Sequence, residues 1–357
     1  MAAGGNLSTT LAILISFIYL VIFYKKRKKG ILLDIQNQTV EAENKTARKL
    51  ITTILAISIP MTLGSLISVI TNTIDTITIS NCVQKAYEGI IIGKEALEAE
   101  AMRLSGILSK VETIMRLPLA INAAFCTALV PAISSLIAKK DMVTAEKRLT
   151  FSFFASMLII MPCVIGMAVI AGPILEMLYP MASEGAGVLA LTTITMFFVA
   201  LNYVVNGGLY GLGKIYIPVI ALAVGGVIKT VLNIVLISNP DINIYGATIS
   251  SIVCQAISFI ICFVALNRHI KMNINFKNHI LKPIVASLVM GGAVVFIYNI
   301  ISNFLGGRMS TMISILTGVV VYIIAIICTK CLSKEEIYMI PYGTKIYKFL
   351  TKIKLYE

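Results

Sequence analysis

Long apolar stretches separated by short polar gaps dominate the chain. They run over Leu7–Tyr24, Leu50–Ile79 and Leu104–Ile137, then Leu149–Ile174, Gly187–Tyr210 and Ile217–Ile237. Tyr245–Leu266, Leu281–Ile301 and Met309–Cys328 complete the set of nine. A bilayer core takes roughly 20 helical residues to cross, at about 1.5 Å per residue, so each stretch is long enough to span. The pattern predicts an all-α polytopic membrane protein with nine transmembrane helices. Pro60, Pro118, Pro131 and Pro162 fall inside these stretches and predict kinks or half-broken helices, tolerated where neighbouring helices satisfy the freed carbonyls. Short gaps in the second half make consecutive helices neighbours, and Asn239-Pro240-Asp241 and Gly306-Gly307 are turn signals in two of them.

Charge then sets an orientation. Most of the 30 Lys and Arg residues fall in alternate gaps. The first such gap holds Lys25, Lys26, Arg27, Lys28 and Lys29, then Lys45, Arg48 and Lys49. Later ones hold Lys139, Lys140, Lys147 and Arg148, then Lys214, then Arg268, Lys271, Lys277 and Lys282, and the tail is basic throughout. The intervening gaps hold only Lys85, Lys94, Arg103 and Arg308. Cytoplasmic loops carry this kind of excess, so the expectation is a plasma-membrane protein with its N-terminus outside and its C-terminus in the cytoplasm. The first basic cluster follows its apolar run, whereas a signal peptide carries its charge before it, so the first stretch reads as a retained span.

Composition narrows the function classes. A mean hydropathy of +0.91 with 13% charged residues excludes an ordinary soluble globule. The net charge of +13 therefore reads as loop anchoring and contact with anionic membrane lipids, not as nucleic-acid affinity. Nucleic-acid binding would need a folded basic domain, and no gap is long enough to hold one. The cysteines lie mostly inside spans, and the Cys328–Cys331 pair has neither a second pair nor a nearby histidine, so no cofactor or metal is expected. Gly208 and Gly213-Lys214 match the first part of a phosphate-loop pattern, but Ile215 stands where a metal-binding hydroxyl is needed. Those glycines predict a tight turn between the fifth and sixth spans instead. Ile31–Lys49 reads as an amphipathic linker. Ile340, Ile346, Phe349, Leu350 and Ile353, set among lysines, read as a helix on the membrane surface or as a partly disordered basic tail.

Polar residues within spans carry the candidate chemistry, because each costs free energy unless it faces protein or water. Ser65, Ser68, Asn72 and Asp75 form one stripe on the second span, and Gly225, Lys229 and Asn233 form another on the sixth. Lys229 sits near the middle of its span, where an ammonium costs about 2.5–3.5 kcal/mol on insertion scales. It lines a cavity, snorkels, or meets an acidic partner. Lys110, Glu112 and Arg116 open the third span. Glu112 and Arg116 either neutralise each other at i, i+4 or face the same cavity. Asn72 and Asp75 bind a substrate or join helices. No nucleophile–base pair, catalytic carboxylate pair or metal cluster appears in a loop, so a transporter fits better than an enzyme.

Four phrases resemble a known group: SIPMTLGSLISVITNTIDTITI (58–79), RLPLAINAAFCTALVPAISSLIAKKD (116–141), NGGLYGLGKIYIPVIALAVGGVIKTVLNIVLI (206–237) and NIYGATISSIVCQAISF (243–259). They are similar to the stage V sporulation protein B group of the multidrug/oligosaccharidyl-lipid/polysaccharide exporter superfamily. The resemblance implies two six-helix lobes, often followed by two further helices, and a flippase for lipid-linked sugars such as the peptidoglycan precursor lipid II. The matches place the first span as the family's sixth helix, the next six as its second lobe and the last two as the extra pair. The implied division is a helix plus linker over 1–49, the lobe over 50–266, the extra helices over 267–328 and a basic tail over 329–357.

An N-terminally truncated or interrupted copy of a fourteen-helix protein is expected on this basis, with the absent lobe or cell-envelope synthesis proteins as partners. Lipid II flippases of the superfamily carry an adjacent acid–Arg pair before the proline of the helix matching the third span. Here Thr113 follows Glu112, and the cations stand at Lys110 and Arg116. The resemblance implies that Lys229, Arg116 and Lys110 face a diphosphate, while Asp75, Asn72 and Asn233 bind sugar hydroxyls or couple ion movement. A cation-coupled multidrug exporter and a non-transporting membrane scaffold are the alternatives.

Overall fold

A computed structural model describes residues 2–36, 46–87, 93–333, 336–337, 347 and 351. The chain divides into two units, Met1–Ala56 and Ile57–Glu357. The first holds α1 (Ala2–Gln36) and the opening turns of α2 (Ala47–Tyr87). Within α1, Tyr19 stacks on Phe23 with ring centroids 6.2 Å apart, and the Arg27 guanidinium lies 5.2 Å over the Phe23 ring. The helix runs through the basic cluster, so Ile31–Gln36 prolong α1 instead of opening a separate linker. The rest of the linker, residues 37–45, and the five apolar tail positions lie outside the described residues.

The second unit continues α2 and adds α3 (Lys94–Thr127), α4 (Leu129–Ala138), α5 (Met142–Val169), α6 (Ala171–Leu178) and α7 (Ala186–Gly211). It then adds α8 (Tyr216–Ile237), α9 (Ile244–His269), a π-helical turn (Phe276–Leu281), α10 (Lys282–Ile301) and α11 (Gly307–Cys328). Among the described residues, eight helical segments are long and apolar enough to cross a membrane, and they coincide with the second to ninth predicted stretches. The first predicted stretch lies inside α1, which is not one of the eight. Large apolar side chains point outward, with Phe296 67% and Leu316 65% exposed. Lipid tails are as apolar as leucine, so this exposure carries no penalty in a bilayer. The chain is a multi-pass membrane protein.

Proline explains where helices stop. Pro131 has no N–H to give the carbonyl four residues back, and that residue, Thr127, is the last of α3. Pro173 stands in the same relation to Val169, the last residue of α5. Pro60, Pro118 and Pro162, by contrast, lie inside continuous helices. Of the four prolines flagged in the sequence, one therefore breaks its span.

The glycines of the α7 end do something other than turn the chain. Gly207, Gly208 and Gly211 are helical and buried, and only Gly213, at φ +74°, serves the turn itself. A Cβ at Gly211 would lie 2.7 Å from Ile133, and one at Gly208 would lie 2.8 Å from Leu149. Their absence lets α7 settle against α4 and α5, the use membrane helices make of small residues.

Two apolar cores hold the bundle. One gathers Ile79, Val111, Leu175, Leu189 and Ile237 towards the α8–α9 end. The other gathers Ile133, Leu149, Val205, Leu209 and Leu266 towards the α7–α8 turn.

A polar latch joins the π-helical turn to the chain beyond α11. His279 Nε2 lies 3.1 Å from Glu336 Oε1, and its Nδ1 accepts from the Asn275 N–H at 3.2 Å, so the ring proton is assigned to Nε2. The Ser333 N–H donates to Glu336 Oε2 at 2.7 Å. Burial pushes the Glu336 carboxyl up, but the hydrogen bonds from His279 and Ser333 outweigh it and hold the group below the ordinary carboxylate range. A depressed folded pKa gives stability that is present above the ordinary value and lost as pH falls through the folded one. Glu336→Gln is expected to flatten this acid-side loss in thermal unfolding followed from neutral to acid pH. An unchanged pH profile would show that the latch carries no linkage.

Candidate functional site

α2 runs parallel to α8 and approaches it at a few points. A Cβ on Gly64 would lie 3.3 Å from Val219, and one on Gly226 would lie 3.2 Å from the Thr71 hydroxyl. The same register sets Asp75 of α2 against Lys229 of α8. Both are buried, at 5% and 6% exposure, and they form an ion pair. Asn233 Nδ2 donates to the other carboxylate oxygen at 2.7 Å, and its Oδ1 accepts from the Ser250 hydroxyl of α9. Those partners fix the amide orientation of Asn233. The carboxylate of α2 thus holds two groups of α8, one of which is tied to α9.

The sequence left Lys229 with three readings, and the structure supplies its acidic partner while keeping it in a cavity wall. That cavity, of about 250 Å³, is lined by Asn72, Glu112, Arg116, Thr195, Lys229 and Gln255 among others. A second cavity, of about 420 Å³, continues towards the α7–α8 turn and is lined by Ser65, Asn202, Tyr203, Asn206, Tyr210 and Ser258 among others. The two share Ser68, Val199, Leu222 and Gln255, so they form one trench between α2 and a wall made by α3, α7, α8 and α9.

Six of the seven sequence candidates therefore gather at one end of the trench: Lys229, Arg116, Glu112 and Asn72 in its wall, Asp75 and Asn233 directly behind Lys229. Lys110 does not join them. Its ammonium donates to the Ala182 carbonyl at 2.6 Å and lies 5.9 Å over the Tyr179 ring, at the connection between α6 and α7. Glu112 is half-buried and Arg116 exposed, and no ion pair joins them among the described residues.

At the far end of the trench the sequence reading found Ser65 but missed the α7 side. Asn202 and Asn206 are one helical turn apart on α7, the same spacing that marked the stripes on α2 and α8. Asn202 Nδ2 donates to the Gln255 carbonyl at 3.1 Å and to Gln255 Oε1 at 3.0 Å. Applying the stripe criterion to the fifth span would have found both asparagines.

Comparison with known proteins assigns the family. The family model described as lipid II flippase MurJ matches residues 3–317. The chain is 26% identical to an uncharacterized membrane protein, YabM, of Bacillus subtilis (strain 168), over 98% of this chain and 63% of that protein. It is 23% identical to stage V sporulation protein B of the same organism, over 95% of this chain and 63% of that protein. A solved structure of the lipid II flippase MurJ in an inward closed conformation shares the fold, with a TM-score of 0.58 at 16% identity, over 82% of this chain and 57% of that one. The chain thus spans somewhat under two thirds of the length of these relatives. The resemblance read from the four sequence phrases holds, and the chain belongs to the lipid II flippase MurJ family.

Proposed function

We propose that the chain is the second lobe, with its two added helices, of a flippase for a polyprenyl-diphosphate-linked saccharide of the lipid II class. The observation that carries this reading is the trench: a polar groove whose charged end holds Arg116 and Lys229 beside Glu112, set in a membrane-spanning bundle of this family. A diphosphate headgroup crosses an apolar core only where cations and hydrogen-bond donors replace its water. Arg116 is exposed at the trench and enters no ion pair among the described residues, so its five-donor fork is available to a diphosphate. Lys229 stands beside it with its charge balanced by Asp75. Lys110, held at the Ala182 carbonyl, leaves the set.

In this reading 50–266 is the lobe, 267–328 the added pair and 329–357 a basic tail, with the α7–α8 turn on the cytoplasmic side as the basic loops indicate. The lipid tail stays in the bilayer while the headgroup passes between this trench and an opposing wall. That wall comes from a lobe outside this chain or from a cell-envelope partner, and alternating access of the two moves the substrate without covalent chemistry.

The test is titration of lipid II into the purified chain in nanodiscs of neutral lipid. Saturable binding is expected. Arg116→Ala is expected to weaken it on the order of tenfold to a hundredfold, the loss of one hydrogen-bonding charge. Absence of binding by the wild-type chain would leave the scaffold reading in its place.

A further inference from the structure

Pro60, Pro118 and Pro162 each remove one rung from the hydrogen-bond ladder of a continuous helix, and the third is treated differently from the others. Pro162 of α5 has no N–H for the Leu158 carbonyl four residues back. The Tyr322 hydroxyl of α11 donates to that oxygen at 2.8 Å, from 164 positions away in the sequence. Tyr322 is 8% exposed, so its hydroxyl meets this carbonyl inside the bundle. Among the described residues, no side chain of another helix donates to the Ala56 or Ile114 carbonyl, which Pro60 and Pro118 free in the same way.

The contacts beyond the proline come from the same pair of helices. A Cβ on Gly291 of α10 would lie 2.8 Å from Ile165, and one on Gly166 of α5 would lie 3.4 Å from Met290. α10 is in turn pressed on α11, where a Cβ on Gly318 would lie 2.6 Å from Val294. Gly318 stands one turn before Tyr322, on the same face of α11. The added pair therefore grips α5 one turn before the break and one turn after it. A helix bends where a rung is missing, and packing around the gap sets how far.

We infer that Tyr322 locks the break in α5: its hydroxyl replaces the missing rung, and α10–α11 is a brace that fixes the shape of α5. The braced helix is bonded to the trench wall, because the Ser156 hydroxyl of α5 donates to the Ala200 carbonyl of α7 at 3.4 Å. Ala200 follows Val199, which lines both cavities. The lock stands on this packing alone, whether or not the trench binds lipid II.

A double-mutant cycle tests it. Tyr322→Phe keeps the ring and removes only the donor, and in wild-type protein it is expected to lower the unfolding temperature by roughly 2–4 °C. Pro162→Ala returns an N–H to the Leu158 carbonyl, so in that background the same exchange is expected to cost almost nothing. An equal loss in both backgrounds would show that the hydroxyl works elsewhere. No loss in the wild-type background would show that the break needs no lock. Either result overturns the inference.

If Pro162→Ala yields no folded protein, amide exchange read by mass spectrometry decides the matter on Tyr322→Phe alone. Exchange over 159–166 is expected to quicken roughly threefold to tenfold, while α8 and α9 keep their wild-type rates. Unchanged exchange at the break, or the same acceleration throughout the bundle, would reject the lock.

Discussion

Lys229→Met is expected to destabilise the protein by about 3–5 kcal/mol, because it leaves the Asp75 carboxylate buried with its charge unpaired. Asp75 is 5% exposed and retains only the Asn233 amide at 2.7 Å once the ammonium is gone. Detergent-solubilised variant should lose its monodisperse gel-filtration peak at a temperature well below that of wild type. Asp75→Leu alone should do comparable harm by stranding the ammonium. The double variant Lys229→Met, Asp75→Leu should recover most of the stability, since an apolar pair of similar volume replaces a buried ion pair at little net cost. A single Lys229→Met protein as stable as wild type would show that the pair is not closed in the membrane. The double variant also serves as the control for the proposed substrate binding, because a loss in Lys229→Met alone confounds folding with recognition.

Gly225→Ala is expected to be the second most damaging small change. A Cβ there would lie 2.8 Å from the Cys254 carbonyl oxygen and 3.0 Å from its sulfur, and backbone cannot step aside as a side-chain tip can. α8 must move off α9, with an overpacking cost of about 1–3 kcal/mol. The shift would also drag Lys229 and Asn233, one and two turns further on, away from Asp75. Gly106→Ala is the control: nothing lies within 4 Å of a Cβ at that helical position, so the exchange should stabilise by about 0.5–1 kcal/mol. Thermal unfolding of the two variants under one condition measures the contrast. Equal melting temperatures would mean that the α8–α9 contact is looser than it looks.

Much of this architecture is legible in the chain, because a bilayer makes hydropathy decisive. All nine predicted stretches fall on helices, eight of them long and apolar enough to cross a membrane, and Asn239-Pro240-Asp241 forms its turn, with the Asp241 N–H bonded to Asn239 Oδ1 at 3.1 Å. The polar stripes on α2 and α8 also lead directly to the trench, since spacing fixes which side chains share a helix face.

What a stripe cannot give is the partner across the gap. Asp75 and Lys229 are separated by 154 positions, and only tertiary packing brings them together. Lys110 shows the converse: it lies two positions from Glu112, yet its reach along the helix carries it to the Ala182 carbonyl and away from the trench. The α7 glycines misled for a related reason. A cluster of glycines reads equally as a turn or as a packing face, and the choice depends on Ile133 and Leu149, which are distant in the sequence.

The Asp75 carboxylate binds α2, α8 and α9 into one block, through bonds that a relative slide of a few ångströms would sever together. Movement of α2 away from α8 must break those bonds first. A cross-link between α2 and α9 would forbid that separation.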